Sequence, residues 1–224
     1  MPQHEVSLHG NSSRELGISR RGFLYSSLLI AAADSIINSG LYATPAPMDA
    51  IHETLNALLA FVVPGPDAFS VAQGVTTPEP GGPDAQVTDI LIETLDLSAP
   101  YAPQFSGTVA GILDSLAQVV NPSASGAFTS WFARLSFPEK ATVFQIMDAT
   151  DQLKPLSGVL LAFVAYLCYS EAGVFDPTTR SLSAQPVGWT ISNYSGTAEG
   201  RDEFLGYFQN RRRADDTDRS EHHE

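Results

Sequence analysis

The chain has 224 residues, with 12 Lys and Arg against 25 Asp and Glu and a formal net charge of -13. That balance argues against a nucleic-acid partner, which demands clustered cations, and against an anionic membrane surface. Hydrophobic residues make up 43% of the sequence, enough for a core, and Cys168 is the single cysteine, so no intrachain disulfide can form.

The N-terminal region is polar up to Ser19-Arg20-Arg21-Gly22-Phe23-Leu24, which leads into the apolar run Leu28-Leu29-Ile30-Ala31-Ala32-Ala33. An arginine pair with Ser before it and Phe-Leu after it has the pattern of a twin-arginine export signal, a route for proteins that are already folded. The competing reading is a basic turn opening an ordinary amphipathic helix. The apolar stretch from Phe23 to Ile37 is interrupted by Asp34 and is shorter than the roughly 20 apolar residues that span a bilayer. Residues 1–45 are therefore read as a signal region carried by Ser19, Arg20, Arg21, Phe23 and Leu24. The destination is the periplasm or cell envelope. About 180 residues remain, which suits one domain over 46–213.

Pro45 and Pro47 separate that region from the first helix of the domain, expected over Asp49 to Val63. Ile51, Leu55, Leu58, Leu59 and Val62 form one helical stripe; Asp49 is placed to cap it and Pro64-Gly65-Pro66 to stop it. Residues 64–83 read as a Pro/Gly loop without periodicity. Pro83-Asp84 opens a second helix burying Val87, Ile90, Leu91 and Leu95. A third spans Ser106 to Val120, and a short fourth carries Phe128, Trp131, Phe132 and Leu135. Ser136-Phe137-Pro138-Glu139 has the chemistry of a capping box with Pro in the first turn, starting a fifth helix that runs to Ala149. The sixth, from Lys154 to Tyr169, is apolar nearly all round, which places it at the centre of a core or under a partner.

Ser170 to Gly200 is rich in Gly, Pro, Ser and Thr, with aromatics interspersed. It reads as a long ordered loop with room for a short strand pair. A last helix is expected over Gly200 to Arg212, carrying Phe204, Leu205, Tyr207 and Phe208; the charged end, 214–224, reads as disordered. The fold expected is all-α: an irregular helical bundle with a long ordered aromatic loop near the C-terminus.

Chemistry-bearing patterns are sparse. No Gly-x-Gly-x-x-Gly follows a strand, and no Cys-x-x-Cys-His is present. Of five histidines only His52 falls in the helical region, and one His without a second His or a Cys does not build the usual zinc site. Asp148 and Asp151 stand three apart and read as a solvated helix end; Cys168, in Phe163-Val164-Ala165-Tyr166-Leu167-Cys168-Tyr169, reads as a buried thiol. Arg211-Arg212-Arg213 suits a helix C-terminus or a salt-bridging contact.

The leader on a small helical domain is joined by Tyr169-Ser170-Glu171-Ala172-Gly173-Val174-Phe175-Asp176-Pro177, then Pro186-Val187-Gly188-Trp189 and Tyr194-Ser195-Gly196. Together these resemble the gluconate 2-dehydrogenase subunit 3 family, the small accessory subunits of FAD-dependent GMC-type dehydrogenases. Leu135-Ser136-Phe137-Pro138-Glu139 looks like that family's Leu-Ser-Pro-Glu helix start with one residue added. The Pro-rich stretch 64–83 and the segment 200–208 depart from the family layout.

The resemblance implies a non-catalytic subunit with no cofactor of its own. It implies that FAD resides in the large dehydrogenase subunit, which this chain binds, helps to mature and provides with an export signal. The other partners implied are the twin-arginine translocase and, as a further candidate, a cytochrome subunit. The interface so implied comprises Phe175, Pro186, Gly188, Trp189, Tyr194, Gly196 and Tyr207. Each aromatic there also has a plainer reading, as packing beneath the loop. Two other classes remain open: an exported envelope binding protein and a stand-alone exported enzyme, which would need a polar catalytic cluster.

Overall fold

The computed structural model describes residues 47–99 and 104–194. The expected twin-arginine signal, the expected last helix, Gly196, Tyr207 and the charged end lie outside the described residues. Eight α-helices are described, and the fold is predominantly helical as expected.

Helix α1 (Met48–Val62) runs through the middle of the bundle and buries Ile51, Leu55, Leu58 and Leu59, as its stripe predicts. It starts one residue earlier than expected. Pro47 is the N-cap, and Asp49 lies in the first turn without a capping bond, where its charge complements the helix dipole. Helix α2 (Ala68–Gln73) interrupts what the sequence reads as loop. Its ends are well specified: Asp67 Oδ1 accepts from the Phe69 and Ser70 amides, and Gly74 terminates it at φ +78°. Six residues are too few to display a period, so composition hides this helix.

The helix expected to open at Pro83 is split. Pro83–Ala85 is a separate 3₁₀ turn, ended by Gln86 at φ +55°, and α3 (Thr88–Ser98) begins after Val87. Helix α4 (Phe105–Val120) buries Phe105, Val109 and Leu113, and α5 (Trp131–Arg134) is a single turn burying Phe132 and Ala133. Phe128 lies before that turn and stacks on Phe69 of α2 at 4.4 Å.

Helix α6 (Phe137–Ala149) has the expected capping box: the Ser136 amide and hydroxyl both donate to Glu139 Oε2, at 2.8 and 2.7 Å. These bonds hold the Glu139 carboxyl below its ordinary pKa. Helix α7 (Lys154–Tyr169) packs on α6 and α1. A two-residue antiparallel pair, β1 (Phe175–Asp176) and β2 (Ser181–Leu182), and a final short helix α8 (Val187–Ile191) complete the described chain. Among the described residues no helix is long and apolar enough to cross a membrane.

The core is continuous from α1 through α3, α4, α5 and α6 to α7. Phe132 is fully buried and meets Phe144 edge-on at 6.3 Å. Phe132→Ala leaves a cavity that close-packed neighbours fill only in part; we expect a loss of about 3–5 kcal/mol of unfolding free energy, read by chemical denaturation.

Candidate partner interface

The segment after α7 is where the sequence concentrates its candidate contact residues. It is held to the body by two close backbone approaches. At Gly173 an added Cβ would lie 1.9 Å from the Ala85 carbonyl oxygen, and at Gly188 it would lie 2.4 Å from Tyr169 Cα. Only glycine lets the chain come this near. Gly173 thus anchors the start of the segment on the 3₁₀ turn, and Gly188 seats α8 on the end of α7. The Ser183 amide donates to the Val174 carbonyl at 2.8 Å, closing the hairpin, and Val187 and Ile191 pack against the core.

With the backbone so fixed, the aromatics divide. Phe175 and Tyr194 are exposed at 45% and 43%, joined by Tyr169 at 48%. Trp189 is half-buried and meets Tyr194 edge-to-face with centroids 5.2 Å apart. Pro186 and Gly188 are buried in the chain's own packing. Tyr169, which opens the run that carries the resemblance, was not among the expected contact residues; it ends α7 with its ring exposed.

Helix α7 explains that apolarity. Leu156, Leu160, Phe163, Val164 and Leu167 are buried on one side. The other side carries the exposed Lys154 in the first turn and then Gly158, Ala162, Ala165 and Tyr169, which are exposed or half-buried and uncharged. The helix is therefore peripheral rather than central. Its outer side ends at Tyr169, on which α8 is seated. A groove of about 270 Å³, lined by Val62, Pro64, Glu79, Tyr169 and Ile191 among others, opens beside α8. It is smaller than the roughly 300–1,000 Å³ of enclosed small-molecule sites.

The polar groups elsewhere are absorbed in structure. Ser130 Oγ and the Phe132 amide donate to Asp114 Oδ1 at 2.8 and 2.9 Å, and Thr54 Oγ1 donates to Ser130 Oγ at 2.8 Å. Burial raises the Asp114 pKa above its ordinary value; the bonds from Phe132, Ser130 and Thr54 and the charge of Arg134 oppose this. The cluster ties α1, α4 and the start of α5 together. Cys168 is buried, and burial pushes its thiol up to about 12, far from a reactive thiolate. His52 sits on α1 with Nε2 3.7 Å from Asp89 Oδ1, and Asp148 and Asp151 are exposed. Among the described residues no group of three or more His, Cys, Asp or Glu is placed to hold a metal ion.

Lys140 is the exception to ordinary burial. It is fully buried on α6, and Nζ donates to Gln73 Oε1 at 2.9 Å and to the Ala57 carbonyl at 3.4 Å. Nζ also lies 5.4 Å from the Phe132 ring centroid. Burial pushes its pKa down to about 7, opposed by the charge of Asp67.

If the two glycine contacts hold the aromatic segment in place, Gly188→Ala should push α8 off Tyr169. In a Trp131→Phe background, Trp189 emission should shift to the red while far-ultraviolet circular dichroism changes little. Unchanged Trp189 emission would contradict this anchoring. Comparison of the chain with protein-family models, with curated proteins and with solved structures found no match.

Proposed function

We propose that this chain is a non-catalytic accessory subunit that binds a FAD-dependent GMC-type dehydrogenase, aids its maturation and supplies the twin-arginine signal that exports the folded complex. The reading rests on Ser19-Arg20-Arg21-Gly22-Phe23-Leu24 together with the resemblance carried by the 169–196 region. The observation that supports it most is the presentation of Tyr169, Phe175 and Tyr194 to solvent from a segment pinned by Gly173 and Gly188. Large aromatics on a fixed backbone lose little entropy on binding and are the residue type enriched at binding hot spots. The outer side of α7, uncharged from Gly158 to Tyr169, would extend the contact.

A flavoprotein that folds around FAD before export requires a route for folded cargo. An export signal on a bound small subunit meets that requirement. The dehydrogenase itself would contribute FAD and the redox chemistry. Export would place the complex in the periplasm or cell envelope, with the translocase as a transient partner and a cytochrome subunit as a candidate electron acceptor.

The test is to replace Arg20 and Arg21 by Lys in the native host and follow the flavoprotein. Its activity should remain in the cytoplasmic fraction, at least tenfold depleted from the envelope fraction, while total activity persists. Normal export of the flavoprotein beside the double variant would overturn the proposal.

A further inference from the structure

Helix α2 is short, and polar side chains form much of its attachment to the body. Ser70 Oγ accepts from the Gly65 amide at 3.0 Å and donates to Asp67 Oδ2 at 2.7 Å. Gln73 is buried; its Nε2 donates to the Ala60 carbonyl at 2.8 Å, and its Oε1 accepts from Lys140. Its apolar attachment runs through Phe69, which packs against the core and stacks on Phe128. Gln73 thus bridges α1 and α6 while covering the only amine in the interior of the described bundle.

That amine has no carboxylate within 4.0 Å among the described residues. Every charged group on the elements around it is engaged elsewhere or stands off. On α1, Asp49 is exposed in the first turn, Glu53 accepts from the Thr129 and Ser130 amides, and His52 faces Asp89. On α4, Asp114 takes Ser130 and Phe132. On α5, Arg134 donates to the Phe128 and Thr129 carbonyls. On α6, Glu139 is occupied by Ser136 and Asn121, and Asp148 is exposed. Asp67, at the start of α2, is the countercharge that acts on Lys140, from beyond 4.0 Å. A protonated amine here is therefore a buried charge in direct contact with two neutral oxygens and a ring face, with the charge of Asp67 beyond 4.0 Å, an expensive arrangement. A neutral amine still donates to both oxygens.

We propose that α2 is a pH-sensitive flap: it closes over Lys140 when the amine is neutral and loosens when protonation calls for water. The sign follows from linkage. Burial holds the closed-state pKa near 7, below the ordinary 10.5, so the open state binds more protons over that interval. Closure is weakest below about pH 7 and strengthens as pH rises from there towards 10.5. This inference uses only residues of the bundle and stands or falls apart from the accessory-subunit reading.

Amide hydrogen exchange of the full-length protein at pH 6 and pH 9, corrected for intrinsic rates, tests it. Protection of residues 68–74 should rise at least about tenfold across that range, and by more than any rise in the core amides of α1 and α4. In Lys140→Met the rise over 68–74 should vanish. A rise that persists in Lys140→Met, or an equal rise over α1 and α4 in the native chain, would overturn the flap. Should Lys140→Met fail to fold, the Lys140 Nζ signal of the native protein decides by nuclear magnetic resonance. A titration midpoint near 7 with the α2-specific response supports the proposal, and a midpoint near 10 overturns it.

Discussion

The structure depends on the position of α1, which is surrounded by α2, α3, α4, α5 and α7. A helix so enclosed must hide Leu55, Leu58 and Leu59 and also find internal partners for every polar group it carries inward. Thr54 is met by Ser130, the Ala57 carbonyl by Lys140, the Ala60 carbonyl by Gln73 and the Val63 carbonyl by the Gly82 amide. Each solution recruits a residue from another element. The bundle is irregular because its short pieces, α2, α5 and the 3₁₀ turn, are placed where α1 needs donors and covers.

The same arrangement places the candidate interface. The 3₁₀ turn that packs on α1 supplies the Ala85 carbonyl against which Gly173 is pressed, and α7 packs on α1 and ends at Tyr169, on which α8 is seated. The segment after Tyr169 is thereby fixed at both ends on elements that the core has already fixed. Its aromatics can face solvent in a defined arrangement instead of collapsing into a mobile loop. This links packing to the proposed role: the segment is preorganised by backbone approaches at Gly173 and Gly188 and by local side-chain bonds from Asp176, Ser183 and Ser192.

Much of the fold was legible in the sequence, for physical reasons that differ by element. The stripes of α1 and α4 are long enough to show a helical period, and Ser136 with Glu139 marks the start of α6 by hydrogen-bond chemistry alone. Helix α2 was hidden because six residues among Pro and Gly carry no period, although Asp67 and Gly74 mark both ends. Lys140 was illegible because lysine is ordinarily exposed, and only the distant Gln73 and Ala57 explain its burial. Within the candidate site, Phe175, Trp189 and Tyr194 were readable as aromatics in a loop that composition alone would leave unordered. Which of them face solvent was not, since that depends on Gly173 meeting Ala85 and Gly188 meeting Tyr169 across the fold.

The central claim, that this chain is the bound small subunit of a flavoenzyme, is tested most directly by purifying the tagged full-length protein from its own host and recording the visible absorption of the eluate. The account predicts a stoichiometric larger protein with flavin bands. A lone, colourless and soluble chain would contradict it and leave an exported binding protein in its place.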